Sequence, residues 1–170
     1  FGDCAVFEYL DKELVIHSTT SLTAPMEIPS ITNNTYQQSL TYARQFEGFG
    51  GNRPISNGSG SLDRFVRASH GAKTFSNQKS MDSYFFDILD SVASGSYSKW
   101  NIVYELSDGM IHFSPRYTKT RQTVTINMDQ LNFDCRQSAQ GRQIQSHDGW
   151  AGESRFSNMT ASKNRKMVEK

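Results

Sequence analysis

The chain has 170 residues, a length that suits one domain with a sizeable core. Apolar residues make up only 36% of it, but 11 Phe and 7 Tyr supply enough bulk for a folded domain. The formal net charge of +1 argues against nucleic-acid or membrane-surface binding, since both need a basic patch or stripe. No run approaches the roughly 18 apolar residues of a membrane span.

The chain opens without Met on a strand-like segment, Phe1 to Val6, and not on a leader sequence. We therefore expect a processed product or a fragment. Cys4 and Cys135 lie near the two ends of the folded part and fit either one disulfide or two buried thiols. Neither is paired with a His in a metal-ligand spacing, which argues against zinc. Such a disulfide, together with three glycosylation sequons, favours a periplasmic or secreted location slightly over the cytoplasm. The sequons begin at Asn33, Asn57 and Asn158.

Two β-rich runs, residues 4–10 and 13–17, flank Asp11-Lys12 and predict a β-hairpin. A helix is predicted over residues 36–46, where apolar residues recur at helical spacing. The residue types give Asn34 or Thr35 as its N-cap and Gly48 as its end.

The Gly/Ser/Asn-rich stretch 48–60 is long for a loop in a compact domain, which favours a functional or mobile segment. A short helix is predicted next, from Ser61 to Ser69, and Gly71 should end it. Two arginines stand near its start, where a cation is mildly unfavourable. An arginine placed against the helix dipole usually has a partner.

The clearest helix begins near Met81, after Ser80 or Asn77 as N-cap, and should end at Gly95. Its apolar stripe is predicted to lie in the core. The stripe consists of Met81, Tyr84, Phe85, Ile88, Leu89 and Val92.

Three further strands are predicted over residues 101–106, 109–116 and 122–128. Strands before and after a helical block predict an α+β fold, an antiparallel sheet with helices on one face. The other sheet face would then need cover from the polar tail, residues 136–170, or from something outside this chain. That tail is predicted to be disordered or to dock on a partner.

The residue types alone do not identify a set of catalytic residues, because the sequence has no nucleophile elbow, phosphate loop or metal-protease motif. Taken singly, Arg64 is more simply an ion-pair residue, with Asp63 or Glu47 as partner, and Asn33 a turn or cap residue.

Six stretches in order, however, resemble the C-terminal half of the choloylglycine hydrolase family, and its penicillin V acylase branch in particular. The resemblance covers about residues 2–133, so that residues 1–135 would be the C-terminal portion of the domain and 136–170 a separate tail. The stretches are Gly2-Asp3 with Val6-Phe7-Glu8-Tyr9, Ile31-Thr32-Asn33 with Thr35-Tyr36-Gln37-Gln38, Gly50-Gly51-Asn52, Asp63-Arg64-Phe65-Val66-Arg67-Ala68, Lys99-Trp100 with Val103-Tyr104, and Asp129-Gln130-Leu131-Asn132-Phe133.

The resemblance implies part of an αββα N-terminal-nucleophile hydrolase that cleaves linear amides such as penicillin V, conjugated bile acids or acyl-homoserine lactones. It implies Asn33 as an active-site residue at the oxyanion site and Arg64 as the arginine beside the nucleophile. The motif around Asn33 is one residue shorter than the family's and lacks its proline, so Asn34 is the alternative. Arg67 is predicted to be a structural ion-pair residue.

The family's nucleophile, an N-terminal cysteine, belongs to a half that this sequence does not contain. Cys4 is no substitute, because three residues precede it and it therefore has no free α-amine. The resemblance thus implies a second chain or segment, a small amide substrate, no cofactor and an oligomer, with this chain inactive alone. The alternative is a non-catalytic truncated paralogue that acts as a binding or structural subunit.

Overall fold

The computed structural model describes residues 3–76, 80–116, 123–132, 140–141, 157–162 and 165. The chain forms two compact units, Phe1–Ser98 and Lys99–Lys170, and each is described by itself. The described residues combine antiparallel sheets with three helices, as the α+β prediction required. No helix among them is long and apolar enough to cross a membrane.

The first unit begins with the predicted hairpin. Strands β1 (Ala5–Leu10) and β2 (Glu13–Ser18) pair antiparallel, with Tyr9 opposite Leu14. Two residues connect them, Asp11 with φ of 50° and Lys12 with φ of 72°. Positive φ at both central residues matches the right-handed twist of the flanking strands, which is why such turns favour two-residue hairpins.

Replacing Lys12 with glycine should stabilise the protein by about 0.4–1 kcal/mol, because glycine adopts this left-handed conformation without steric cost. The urea midpoint of unfolding measures the effect. Lys12→Ala removes the same charge but keeps the Cβ atom, and should give no stabilisation. Equal midpoints for the two variants would contradict the turn argument.

Helix α1 spans Tyr36–Ala43, and Thr35 is its N-cap, with its hydroxyl accepting from the Gln38 N–H. The predicted end near Gly48 was wrong. The chain leaves the helix at Arg44 and turns back, so that Phe46 and Arg53 form a β-bridge. The turn brings Gly51 against the Gln45 carbonyl, where a Cβ atom would clash with backbone.

Helix α2 spans Ser61–Lys73 and continues past Gly71, which was expected to end it. Gly71 serves packing instead. A Cβ atom there would lie 2.7 Å from Cγ1 of Ile88 on helix α3 (Met81–Ser91), so glycine permits the close approach of the two helices. Helix α3 starts after Ser80, as predicted, but it ends four residues before Gly95.

The core of the first unit lies between α1, α2 and the turn that follows α1. The apolar residues that recur at helical spacing over residues 36–46 are Tyr36, Leu40, Ala43 and Phe46. All four are buried, although Phe46 lies beyond the helix. The buried cluster consists of Tyr36, Leu40, Ala43, Phe46, Phe65 and Val66.

The stripe of α3 is less buried than predicted. Met81 remains 44% exposed, and the buried side chain of the helix is Phe86, which the stripe did not include. Within this unit α3 packs on α2, and Phe75 meets the Tyr84 ring edge-on and stacks on the Phe85 ring. A single helical neighbour covers only part of a helix surface, so most of the stripe is half-buried.

Tyr36 combines full burial with a hydroxyl group that is bonded twice to Ile28, donating to its carbonyl oxygen and accepting from its N–H. Burial raises the pKa of the Tyr36 phenol above 10.0, and the Ile28 hydrogen bond partly offsets the rise. The folded chain therefore holds this proton more tightly than the unfolded chain. Stability from this source is complete below pH 10 and is lost as the pH rises further.

We expect the urea midpoint to fall as the pH rises above 10, and to fall less in Tyr36→Phe, which has no phenol proton to release. At pH 8, Tyr36→Phe should cost about 1–2 kcal/mol through its lost hydrogen bonds. Tyr97→Phe is the control, since that ring is 87% exposed. An identical alkaline loss in all three proteins would refute the assignment to Tyr36.

The second unit contains the other three predicted strands. They are β3 (Trp100–Glu105), β4 (Met110–Pro115) and β5 (Val124–Asn127), and they form one antiparallel sheet in the order β3-β4-β5. The tail is described at few positions, where β6 (Gln140–Gly141) pairs with β7 (Ser157–Asn158). The rest of the predicted tail, and Cys135 with its proposed disulfide, lie outside the described residues.

Candidate active site

The loop before α1 is tied to the first residue of α2. The Thr32 hydroxyl donates to the Ser61 carbonyl oxygen at 3.1 Å and accepts from the Ser61 hydroxyl at 3.0 Å. The Asn34 N–H donates to the Ser61 hydroxyl oxygen at 3.1 Å. Ser61 therefore holds both neighbours of Asn33, the Thr32 side chain and the Asn34 backbone, against the start of α2.

This anchorage brings together the two predicted site residues. Nη2 of Arg64 donates to Oδ1 of Asn33 at 2.9 Å, although the residues are 31 positions apart in sequence. A guanidinium has donors only, so the amide atom that faces it must be the oxygen. The Nδ2 group of Asn33, an exposed residue, keeps its two N–H donors for other acceptors.

Asn34, the alternative to Asn33, is placed differently. Its Nδ2 donates to Oε1 of Gln38 at 3.4 Å, one turn into α1. Of the two asparagines, Asn33 is thus the one whose side chain contacts Arg64, despite the shortened motif.

The environment of Arg64 is unusual for an arginine. It stands in the first turn of α2, whose N-cap, Gly60, provides no side-chain hydrogen bond. Its Nε is buried and has no hydrogen-bond partner among the described residues. An unpaired buried donor costs about 1–3 kcal/mol, more when charged. Arg64 is therefore poised to donate to a further acceptor.

The simpler interpretation of Arg64, an ion pair with Asp63 or Glu47, does not fit the geometry. Asp63 instead accepts from the Tyr42 hydroxyl at 3.0 Å. In the described part of the chain neither carboxylate forms a salt bridge with Arg64. The Tyr42 contact has its own electrostatic consequence, since burial and then the Asp63 hydrogen bond raise the pKa of the Tyr42 phenol.

Arg67, predicted to be an ion-pair residue, bonds to backbone carbonyls instead. Its Nη1 donates to Ser56 O at 2.8 Å and Gly58 O at 2.7 Å, and its Nε donates to Ser91 O at 3.2 Å. Three carbonyl oxygens satisfy the guanidinium as a carboxylate would. The structural role was right and the kind of partner was wrong. Arg67 fixes the loop that leads into α2.

An open groove of about 430 Å³ is lined by residues of α2, of α3 and of the loop before α2. Neither Asn33 nor Arg64 lines it. Its lining includes Ile55, Arg67, His70, Tyr84, Asp87 and Ile88.

Two groups next to this site are not among the predicted site residues, Ser61 and the buried pair of Glu8 and His17. Glu8 and His17 lie on the inner face of the hairpin, and Oε2 of Glu8 is 3.2 Å from Nε2 of His17. Residues two apart on a strand face the same side, so an inward-facing Val6 would have predicted that Glu8 also points inward.

No protein-family model matches the chain, and no curated protein matches it significantly. Among solved structures, the chain is similar to penicillin V acylase from Agrobacterium tumefaciens, with a TM-score of 0.61 and 23% sequence identity. The similarity covers 76% of this chain and 43% of the acylase chain, so this chain spans less than half of that protein's length. At this identity the similarity concerns the fold alone. The fold of this chain is therefore similar to that of one part of this penicillin V acylase.

Proposed function

We propose that this chain is part of a hydrolase that cleaves the C–N bond of linear amides, with Asn33 and Arg64 as active-site residues. The observation that carries the proposal is the 2.9 Å hydrogen bond from Arg64 Nη2 to Asn33 Oδ1. It unites two polar residues from separate elements in a fold similar to part of penicillin V acylase. The proposal includes a complete αββα sandwich, of which this chain would form only one part.

Each residue has a distinct chemical role. The guanidinium of Arg64 favours a nearby thiolate over a thiol and so activates a cysteine nucleophile. Its buried Nε–H has no partner among the described residues and would donate a hydrogen bond to that thiolate. Asn33, with its oxygen held by Arg64, presents Nδ2 as a donor to the oxyanion that forms when the amide carbonyl is attacked. No cofactor is needed for this chemistry.

The nucleophile itself lies on a chain or segment outside these 170 residues. Cys4 cannot serve, because its nitrogen is a peptide amide that donates to the Thr19 hydroxyl at 3.1 Å. An N-terminal nucleophile requires a free α-amine as its base. Residues 1–170 alone should therefore not hydrolyse amides.

Penicillin V, acyl-homoserine lactones and conjugated bile acids are the substrates to test first. A periplasmic or secreted location is part of the proposal, since the sequons that begin at Asn57 and Asn158 and a Cys4–Cys135 disulfide both fit such a compartment.

Intact-mass analysis and N-terminal sequencing of the native material test this function. We expect the chain to purify with a chain or segment that begins with Cys, and the assembly to release product from at least one of the three amides. A homo-oligomer of the 170-residue chain, with no second polypeptide and no amidase activity, would refute it.

The second candidate is a non-catalytic subunit, and the outer face of the hairpin favours it. Phe7 and Tyr9 are 66% and 73% exposed, and they pair with Ile16 and Leu14, which are 42% and 60% exposed. Four large apolar residues on one face suit contact with another polypeptide. An assembly that forms through this face but turns over no amide would establish this function instead.

A further inference from the structure

We propose that Glu8 is a positioning residue that holds Asn33 on Arg64 through the first turn of α1. The inference rests on the proposed function only for its catalytic consequence, since the positioning itself is a property of this chain. Glu8 is on β1, and it touches neither of the two active-site residues directly.

The contact that carries the inference joins β1 to the start of α1. Oε1 of Glu8 accepts from the Tyr36 N–H at 2.9 Å. Tyr36 is the first residue of α1, where the N–H has no partner within the helix. The hydroxyl of the N-cap Thr35 accepts from the Gln38 N–H, and Glu8 accepts from the Tyr36 N–H. Two of the N–H groups that lack a partner within the helix are thus bonded, each by a side chain from a different part of the chain. A carboxylate at this end is also favoured by the helix dipole.

The Glu8 side chain is only 10% exposed, which is unusual for a carboxylate and demands compensation. His17 provides part of it, with its Nε2 atom 3.2 Å from Oε2 of Glu8 and its ring 4.6 Å from the Tyr36 ring. The distance between the two atoms is short enough for an ion pair, but Oε2 of Glu8 accepts no hydrogen bond of good geometry among the described residues. The positioning argument therefore rests on Oε1, and the His17 contact limits where the carboxylate can lie.

Asn33 is consequently held from two sides. Ser61 bonds to Thr32 and Asn34, the neighbours of Asn33, and Glu8 bonds to Tyr36 three residues later. The first anchor joins the loop to α2 and the second joins it to the hairpin. Without the second, the start of α1 can shift relative to α2, and the Asn33 amide shifts with it. A displacement of about 1 Å can cost an enzyme about 100-fold in rate.

Three variants separate positioning from mere stability. Glu8→Gln keeps an oxygen acceptor at the same reach, whereas Glu8→Asp keeps the charge on a side chain one methylene shorter that cannot reach the Tyr36 N–H. Glu13→Gln is the matched control, because Glu13 is an exposed acid on the same hairpin. The probes are the ¹H–¹⁵N signals of the Asn33 side-chain amide and the Arg64 Nε–H in the 170-residue chain. The kcat and KM of the assembled hydrolase on penicillin V form the second readout.

We expect Glu8→Asp to shift both NMR signals and to lower kcat by about 10- to 100-fold, with KM changed less than about threefold. Glu8→Gln and Glu13→Gln should keep the wild-type signals and rates. The inference is overturned if Glu8→Asp only lowers the melting temperature, or if Glu8→Gln is as damaging as Glu8→Asp. If the wild-type assembly cleaves no amide, the proposed function fails, and the two NMR signals still decide the role of Glu8.

Discussion

In the hydrolase that we propose, replacing Arg64 with alanine should lower kcat/KM by about 100- to 1000-fold, the cost of removing one preorganised donor from a site of developing charge. The guanidinium both holds the Asn33 amide at 2.9 Å and supplies the buried Nε donor. In the proposed mechanism, its loss leaves the cysteine nucleophile protonated more of the time and misplaces the oxyanion donor. Steady-state kinetics on penicillin V and the pH dependence of kcat/KM measure both effects.

Two variants make this result specific. Arg64→Lys keeps the charge but loses the planar donor fork, so we expect an intermediate loss. Arg44→Ala is the control, because it removes an arginine from a surface ion pair with Glu27 whose side chains are 58% and 46% exposed. It should leave kcat/KM unchanged. Should Arg64→Ala unfold the chain, or leave turnover intact, Arg64 would be a structural residue.

Replacing Phe65 with alanine should cost about 3–5 kcal/mol of unfolding free energy, the largest stability effect that we expect from one substitution. Phe65 is fully buried one position after Arg64, and its ring meets the Tyr36 ring edge-on at 6.4 Å. Alanine would leave a cavity between α1 and α2 in a close-packed core. Urea denaturation monitored by circular dichroism measures the loss.

Such a loss is a large share of the stability of a small domain, so Phe65→Leu provides a milder test at the same position, with an expected cost of about 1–1.5 kcal/mol. Leu22→Ala is the control, since Leu22 is 99% exposed and its truncation should change the stability by less than about 0.5 kcal/mol. A cost below 1 kcal/mol for Phe65→Ala would show that the cluster around Tyr36 is not the stabilising core.

Local patterns in the sequence were sufficient for the hairpin and for the residues that begin the helices. Alternation and a two-residue turn depend on neighbouring side chains only, so β1, β2 and the Asp11-Lys12 turn were predicted correctly. The family resemblance selected Asn33 and Arg64, and the structure has them in contact. Which of the two asparagines contacts Arg64 could be seen only in the coordinates, because both fit the shortened motif.

Tertiary packing decided the features that depend on distant residues. Gly71 looked like a helix stop because glycine commonly ends helices, but here Ile88 occupies the space of its missing side chain. The stripe of α3 looked like core because periodicity shows which face is apolar and not how many neighbours cover it. Glu8 was missed for the same reason, since its partner, the Tyr36 N–H, is 28 residues away. The sequence thus determined which residues are candidates for the site. Their alignment was decided by the hydrogen bonds that join β1, α1 and α2, because only the folded chain brings those three elements together.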